Sequence, residues 1–296
     1  MTTRIGEVYM TVKEILQNNE VTLSFEVFPP KTDDKFASVE AASEKIAELG
    51  PHFMSVTYGA GGGTSANTAE LAYRIQNRYN TPVLAHLTCV SSTKEHVAKM
   101  VAEYKSRGID NIMALRGDIP KDGRVAFDYN YAAELIRDIK EIAPDMCIGG
   151  ACYPEGHIEC ARQSEDIIHL KEKVEAGCDF LTTQMFFDNN TLYNFLYRIR
   201  EAGINVPVIA GIMPITNARQ VDRSVAMSGA TIPQRFRTMV DRFGDDPDKM
   251  AQAGVIYATE QIIDLIANGV NHIHVYSMNK PEIAAGIKES LSSIIS

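Results

Sequence analysis

Eight times along this chain, a short apolar or β-branched run gives way to a polar loop and then to apolar residues at helical spacing. The strand candidates are TLSFEVF from Thr22, FMSVTY from Phe53, PVLAHLT from Pro82, NIMALR from Asn111, CIGGACY from Cys147, DFLTTQMFF from Asp179, PVIAGIM from Pro207 and HIHVYS from His272. Helical patterns follow at 34–49, 68–78, 94–107, 131–142, 162–176, 192–202, 218–227 and 281–295. A further helical stretch, 233–243 and then 250–267, reads as an insertion before the eighth strand. Parallel strands need right-handed helical crossovers, and eight such units can close around a filled interior. The pattern therefore predicts an α/β fold of the (β/α)8 TIM barrel type. An open doubly wound sheet is the competing arrangement. Gly50 and Gly108 are among the glycines placed to end a helix in the left-handed conformation. Because the units use up the 296 residues, a single barrel domain over 1–296 is expected.

Charge narrows the partners. With 29 Lys and Arg against 38 Asp and Glu, the net charge is −9, and no basic block is present to neutralise nucleic-acid phosphates or anionic lipid. Neither a membrane-length apolar run nor a signal-type N-terminus is present, so a cytoplasmic protein with small-molecule ligands is expected. A homo-oligomer is the expected assembly. The five cysteines contain no CxxC pair, and reduced thiols are the default.

Strand alternation separates a helix-facing side from an interior side. In the first strand Leu23, Phe25 and Val27 should meet helices, leaving Thr22, Ser24 and Glu26 inward. Ser55 with Thr57, Leu84 with His86, Thr182 with Gln184, and His272 with His274 and Tyr276 likewise share faces. Glu26, Thr57, His86, Arg116, Asp118, Tyr153 and Gln184 all fall at or just after C-terminal strand ends, where barrels place their chemistry.

Glu26 sits in SFEVFPPK. A carboxyl in a partly apolar mouth should have a raised pKa, which suits a general acid; a rim ion pair with Arg116 or Lys31 is the bland alternative. In ALRGD, Gly117 would let the backbone approach a flat ligand, although a turn with an internal ion pair explains the motif equally well. GAGGGT from Gly59 has Thr64 in place of the third glycine of a dinucleotide fingerprint, and GxxxxGK[ST] is missing, so a mobile loop is preferred to a Rossmann site or P-loop. His157 and Cys160 with Cys147 and Cys152 could be taken for a metal site. The odd separation of Cys147 and Cys152 puts them on opposite strand faces, so no metal is expected. His272 and His274 read as satisfied core histidines.

In order, SFEVFPPK, SVTYGAGG, AHLTC, ALRGD, YPEGH, TTQMFFD, GIMPITN and HVYSMN resemble the bacterial-type methylenetetrahydrofolate reductase family, from Thr22 to Lys280. The resemblance implies a flavin oxidoreductase of one-carbon metabolism and methionine biosynthesis. It would bind FAD, take hydride from NADH (NADPH being the lesser alternative), and convert 5,10-methylenetetrahydrofolate to 5-methyltetrahydrofolate. It makes Glu26 the general acid and Asp118 a second catalytic carboxylate near flavin and pterin. Thr57, Tyr58, Ala60, His86, Arg116, Gly117, Asp118, Ala132, Tyr153, His157, Asp166, His169 and Lys173 match cofactor-site positions. Glu26, Asp118, Gln184, Gln220 and Lys280 match substrate positions. His169 and Glu172 stand where some members have Asn and a basic residue, and Ser224 where some have an aromatic residue. A metal-dependent barrel lyase or hydrolase using Glu26, His86, Asp118 and His157 is the alternative among enzymes, and a non-catalytic folate-binding partner the alternative outside them.

Overall fold

The eight-unit repeat closes into a barrel of parallel strands. The computed structural model describes residues 4–5, 8–30, 32–58, 65–90, 92–119, 123 and 126–295. A two-stranded antiparallel ribbon, β1 (Arg4–Ile5) and β2 (Val8–Tyr9), leads into α1 (Val12–Asn18). The barrel strands are β3 (Thr22–Val27), β4 (Phe53–Val56), β5 (Val83–Thr88), β6 (Asn111–Leu115), β7 (Cys147–Cys152), β8 (Phe180–Thr183), β9 (Val208–Ile212) and β10 (His272–Tyr276). They run in chain order around the barrel, and β10 pairs with β3 to close it. The doubly wound alternative is thereby excluded.

The helices between strands are α2 (Phe36–Ala47), α3 (Ser65–Tyr79), α4 (Lys94–Ser106), α5 (Ala132–Ile142), α6 (Gln163–Glu175), α7 (Asn189–Glu201) and α8 (Arg219–Ser228). The insertion is α9 (Gln234–Phe243) with α10 (Pro247–Ala267), and α11 (Pro281–Ser290) follows β10. Gly50 and Gly108 have φ of +67° and +70°, as helix-ending glycines should. Helix α3 begins three residues before the predicted start. Residues 59–64, where a mobile loop is expected, lie outside the described residues.

Two hydrophobic cores follow from the alternation. Outward residues such as Leu23, Phe25, Val56, Ile112 and Val275 pack under the helices. Inside, Phe53, Leu84, Met113, Cys147, Phe180 and Ile209 form a separate cluster at the N-terminal end of the barrel. The sequence reading omitted α1, whose Val12, Ile15 and Leu16 seal this floor. Its signal was Thr11-Val-Lys-Glu14: Glu14 N–H donates to Thr11 Oγ1 at 3.3 Å, and Thr11 N–H donates to Glu14 Oε2 at 2.7 Å. Val12 N–H also donates to Asn111 Oδ1 inside the barrel, at 2.7 Å.

Candidate active site

Above that floor, a cavity of about 830 Å³ opens at the C-terminal ends of the strands. This size lies within the range of small-molecule and cofactor sites. Its inner end is polar. Glu26 on β3 lies in register with Ser55 on β4 and Tyr276 on β10. Ser55 Oγ donates to Glu26 Oε2 at 3.2 Å, while His86 Nε2 and His274 Nε2 stand 3.6 and 3.8 Å from the same oxygen.

The hydrogen bonds fix one imidazole. Ser24 donates its hydroxyl proton to Ile273 O at 3.0 Å, so His274 Nδ1, 2.8 Å from Ser24 Oγ, must be the donor in that contact. His274 Nε2 then meets Ser55 Oγ at 3.0 Å, linking the imidazole to the acid through one hydroxyl. The ring lies between Phe53, stacked at 5.9 Å, and Tyr276, edge-on at 5.5 Å. Tyr276 is held in turn by donating to Thr183 O at 2.6 Å.

Burial is the largest influence on Glu26 and acts to raise its pKa, but His274, His86 and Ser55 together outweigh it. The carboxyl is therefore held below its ordinary range. This corrects the expectation of a raised value: neighbours drawn from strands β4, β5 and β10 stabilise the anion, and local sequence around Glu26 carries no sign of them. Burial pushes His86 the other way, down to about 4, so this imidazole is neutral near pH 7.

Along the wall, Arg116 donates to both carboxylate oxygens of Glu159, Nη2 to Oε1 at 3.0 Å. Hydrogen bonding to Glu159 raises the Arg116 pKa and lowers that of Glu159. The anticipated pairing of Arg116 with Glu26, or with Asp118 within RGD, is replaced by this contact, because the loop after β7 reaches the guanidinium. Gly117 has φ +84°, and a Cβ there would lie 2.9 Å from Thr88 Cβ. The glycine thus accommodates a close approach of its own loop to the end of β5, and it also lines the cavity.

His157 Nδ1 accepts from Glu159 N–H at 3.1 Å. Burial, then Arg116, lower its pKa, so His157 offers a neutral N–H donor. Lys173 Nζ donates to Ala151 O at 2.5 Å, with its pKa lowered by burial. Asp166 accepts from His157 N–H at 3.3 Å. At the outer end Tyr131 and His169 stack at 6.2 Å, and His169 pairs with Glu172 at 3.3 Å.

Glu26, Tyr58, His86, Arg116, Gly117, Asp118, Ala132, Tyr153, His157, Asp166, His169, Lys173 and Gln184 all line this one cavity. Gln184 Oε1 accepts from Met185 N–H at 2.9 Å, leaving its NH2 without a partner among the described residues. Three anticipated positions do not converge. Thr57 sits at the end of β4 outside the cavity wall, its N–H donating to Val27 O at 3.0 Å. Gln220 and Lys280 also lie off the wall and meet instead at Thr216. Gln220 Oε1 accepts from Thr216 N–H at 3.0 Å, and Lys280 Nζ donates to Thr216 Oγ1 at 3.1 Å. Ala60 lies outside the described residues. Ser224 is buried and off the wall, whereas Met227 on the same helix lines the cavity.

Glu159 and the methionines Met213, Met227 and Met278 were missed as wall residues. Their common signal, a position in the turn or helix after a strand, was too broad to single them out. Cys147 belongs to the interior cluster and Cys152 to the outer one, the opposite faces predicted for them. Among the described residues no group of three or more His, Cys, Asp or Glu is placed to hold a metal ion. No helix among them is long and apolar enough to cross a membrane.

Comparisons with known proteins agree with this arrangement. Residues 11–292 match the family model for methylenetetrahydrofolate reductase. A 5,10-methylenetetrahydrofolate reductase of Pectobacterium carotovorum is 34% identical over 92% of this chain and 90% of its own length. The Escherichia coli enzyme of that name is also 34% identical, over 92% and 91%. Methylenetetrahydrofolate reductase (NADH) 1 of Arabidopsis thaliana is 32% identical over 96% of this chain, which spans 50% of the plant protein. Among solved structures, a Clostridium thermocellum protein that binds two copies of 5-methyl-5,6,7,8-tetrahydrofolic acid shares the fold, with a TM-score of 0.64, 15% identity and coverage of 95% and 98%. With a barrel-mouth cavity around Glu26 and a family match across nearly its whole length, the chain belongs to the methylenetetrahydrofolate reductase family.

Proposed function

We propose that this protein reduces 5,10-methylenetetrahydrofolate to 5-methyltetrahydrofolate, with FAD held in the barrel mouth and NADH as the reductant. The observation that carries the reading is the position of Glu26, a carboxyl deep in the cavity beside two imidazoles and a hydroxyl.

The wall residues fit a flavin dinucleotide. The cavity combines apolar lining groups, including Leu84 and Met113, with the cations Arg116 and Lys173 and the donor His157. Arg116 and Lys173 would meet a diphosphate, and the Tyr131–His169 pair offers flat faces to an aromatic base. When bound, the flavin supplies the hydride chemistry, accepting two electrons from the nicotinamide and passing them to the folate.

Glu26 has the task of holding and delivering a proton to the folate nitrogen that departs as the five-membered ring opens. Its anion is favoured in the open cavity, but two of the stabilising influences need a charged imidazole, and His86 carries no charge near neutral pH. A ligand sealing the mouth strengthens the effect of burial, which favours the protonated acid. The free NH2 of Gln184 and the carboxylate of Asp118 would orient the reacting ring system. NADH rather than NADPH follows the naming of the plant relative.

Purified protein should take up FAD, bleach on anaerobic addition of NADH, and recover its flavin absorbance with methylenetetrahydrofolate. Protein that cannot take up FAD, or whose reduced flavin is not reoxidised by folate, would refute the proposal.

A further inference from the structure

The short loop between β10 and α11 contains Ser277, Met278 and Asn279, none of which has a place in the chemistry described above. Met278 and Asn279 have φ of +55° and +54°, and neither is a glycine. Consecutive residues of this kind in the left-handed region are costly and persist only where surrounding contacts enforce them.

Those contacts converge on the end of β3. Ser277 Oγ donates to the backbone carbonyl of Glu26 at 2.6 Å. Asn279 forms a two-way bridge to Phe28: Phe28 N–H donates to Asn279 Oδ1 at 2.9 Å, and Asn279 Nδ2 donates to Phe28 O at 2.9 Å. The side-chain amide thereby extends the β3–β10 pairing beyond its last backbone register, Tyr276 opposite Glu26. Two prolines, Pro29 and Pro30, follow Phe28 and have no N–H with which to continue a ladder. On the other side, Lys280 N–H closes the turn onto Ser277 O at 3.0 Å. Met278, between the two clamping residues, lines the cavity.

We infer that Ser277 and Asn279 are positioning residues that fix the backbone at Glu26 and just after it, at the Glu26 carbonyl and at Phe28, and so set the carboxyl against His86, His274 and the ligand. This rests on the general-acid reading of Glu26. A carboxyl that must protonate one ring nitrogen tolerates little displacement, since about 1 Å of misplacement can cost about 10²-fold in rate. The left-handed loop is the local cost of bringing the Asn279 amide level with Phe28.

The test uses the FAD-loaded protein and four variants, Asn279→Ala, Asn279→Asp, Ser277→Ala and Glu26→Gln, with each half-reaction followed separately by stopped flow. Asn279→Ala should slow folate-driven reoxidation by about 10- to 10²-fold, while flavin reduction by NADH stays within about twofold, and should shift the pH profile of reoxidation. Asn279→Asp retains the acceptor for Phe28 N–H but sets a carboxylate oxygen against the Phe28 carbonyl, so it should recover only part of the rate. Hydrogen exchange in the protein without folate gives an independent readout: the Phe28 amide should lose protection in Asn279→Ala and keep it in Asn279→Asp. Equal loss of both half-reactions, or an unchanged reoxidation rate and pH profile in both Asn279→Ala and Ser277→Ala, would overturn the inference. If Glu26→Gln reoxidises at the parent rate, it is the general-acid reading that fails, and the positioning role falls with it.

Discussion

His86 provides a direct measure of how strongly the barrel suppresses charge beside the acid. The residue is 8% exposed, and burial holds its pKa down to about 4. In the unfolded chain it should titrate near 6.5. Because the folded value is the lower one, the unfolded chain takes up the proton first. Stability is therefore complete above about pH 6.5 and declines as pH falls towards 4. Proton linkage between those two values gives a loss of about 2 kcal/mol on going from pH 7 to 5. Glu26, whose pKa is also lowered, adds a loss in the same direction only below its ordinary 4.5, outside this interval. His52 and His272 are likewise held down by burial, but they cancel when parent and variant are compared. The assay is urea unfolding of the parent and of His86→Gln at pH 7, 6 and 5. The parent should lose about 2 kcal/mol more than the variant over that range, seen as a larger fall in midpoint at unchanged slope. Parallel pH dependence of the two proteins would refute the claim that burial keeps His86 neutral, and with it the view that Glu26 works beside an uncharged imidazole.

Replacing Glu26 with Gln should leave flavin reduction by NADH intact and abolish folate-driven reoxidation, both read from flavin absorbance; equal loss of the two steps would remove its role as acid. Gly211→Ala should destabilise the fold by about 1–3 kcal/mol, measured by denaturant unfolding, because the added Cβ would collide with the Thr183 carbonyl oxygen and the Tyr276 hydroxyl. Unchanged stability would show that Tyr276 is not fixed as described. Cys160 is half-buried and the other four cysteines are buried, with burial raising Cys147 and Cys178 to about 12. A thiol reagent should accordingly modify one cysteine quickly in the native protein and all five in denaturant, as counted by mass spectrometry.

The strand-helix repeat and the interior alternation were legible because each depends on neighbours within a few residues. Leu23, Phe25 and Val27 do face the helices, and Ser24 and Glu26 do face inward. The wall residue Tyr153 was legible for the same reason, following a strand whose end must reach the mouth, whereas His157 and Lys173 were carried by the family resemblance. Helix α1 was readable in principle from its capping box, although seven residues of weak periodicity concealed it.

By itself, then, the sequence determined how many units the barrel has, which face of each strand turns inward, and which groups can reach its open end. Tertiary structure decided which of those groups meet. It drew Arg116 to Glu159, gathered Gln220 and Lys280 around Thr216, set His274 against Ser24 and Ser55, and joined Asn279 to Phe28 across 251 positions of chain. The same closure reversed the expected direction of the Glu26 pKa. Alternation along a strand is a local property of the backbone, whereas the electrostatic surroundings of a buried carboxyl are contributed by strands far apart in sequence, and they are defined only once the barrel has closed.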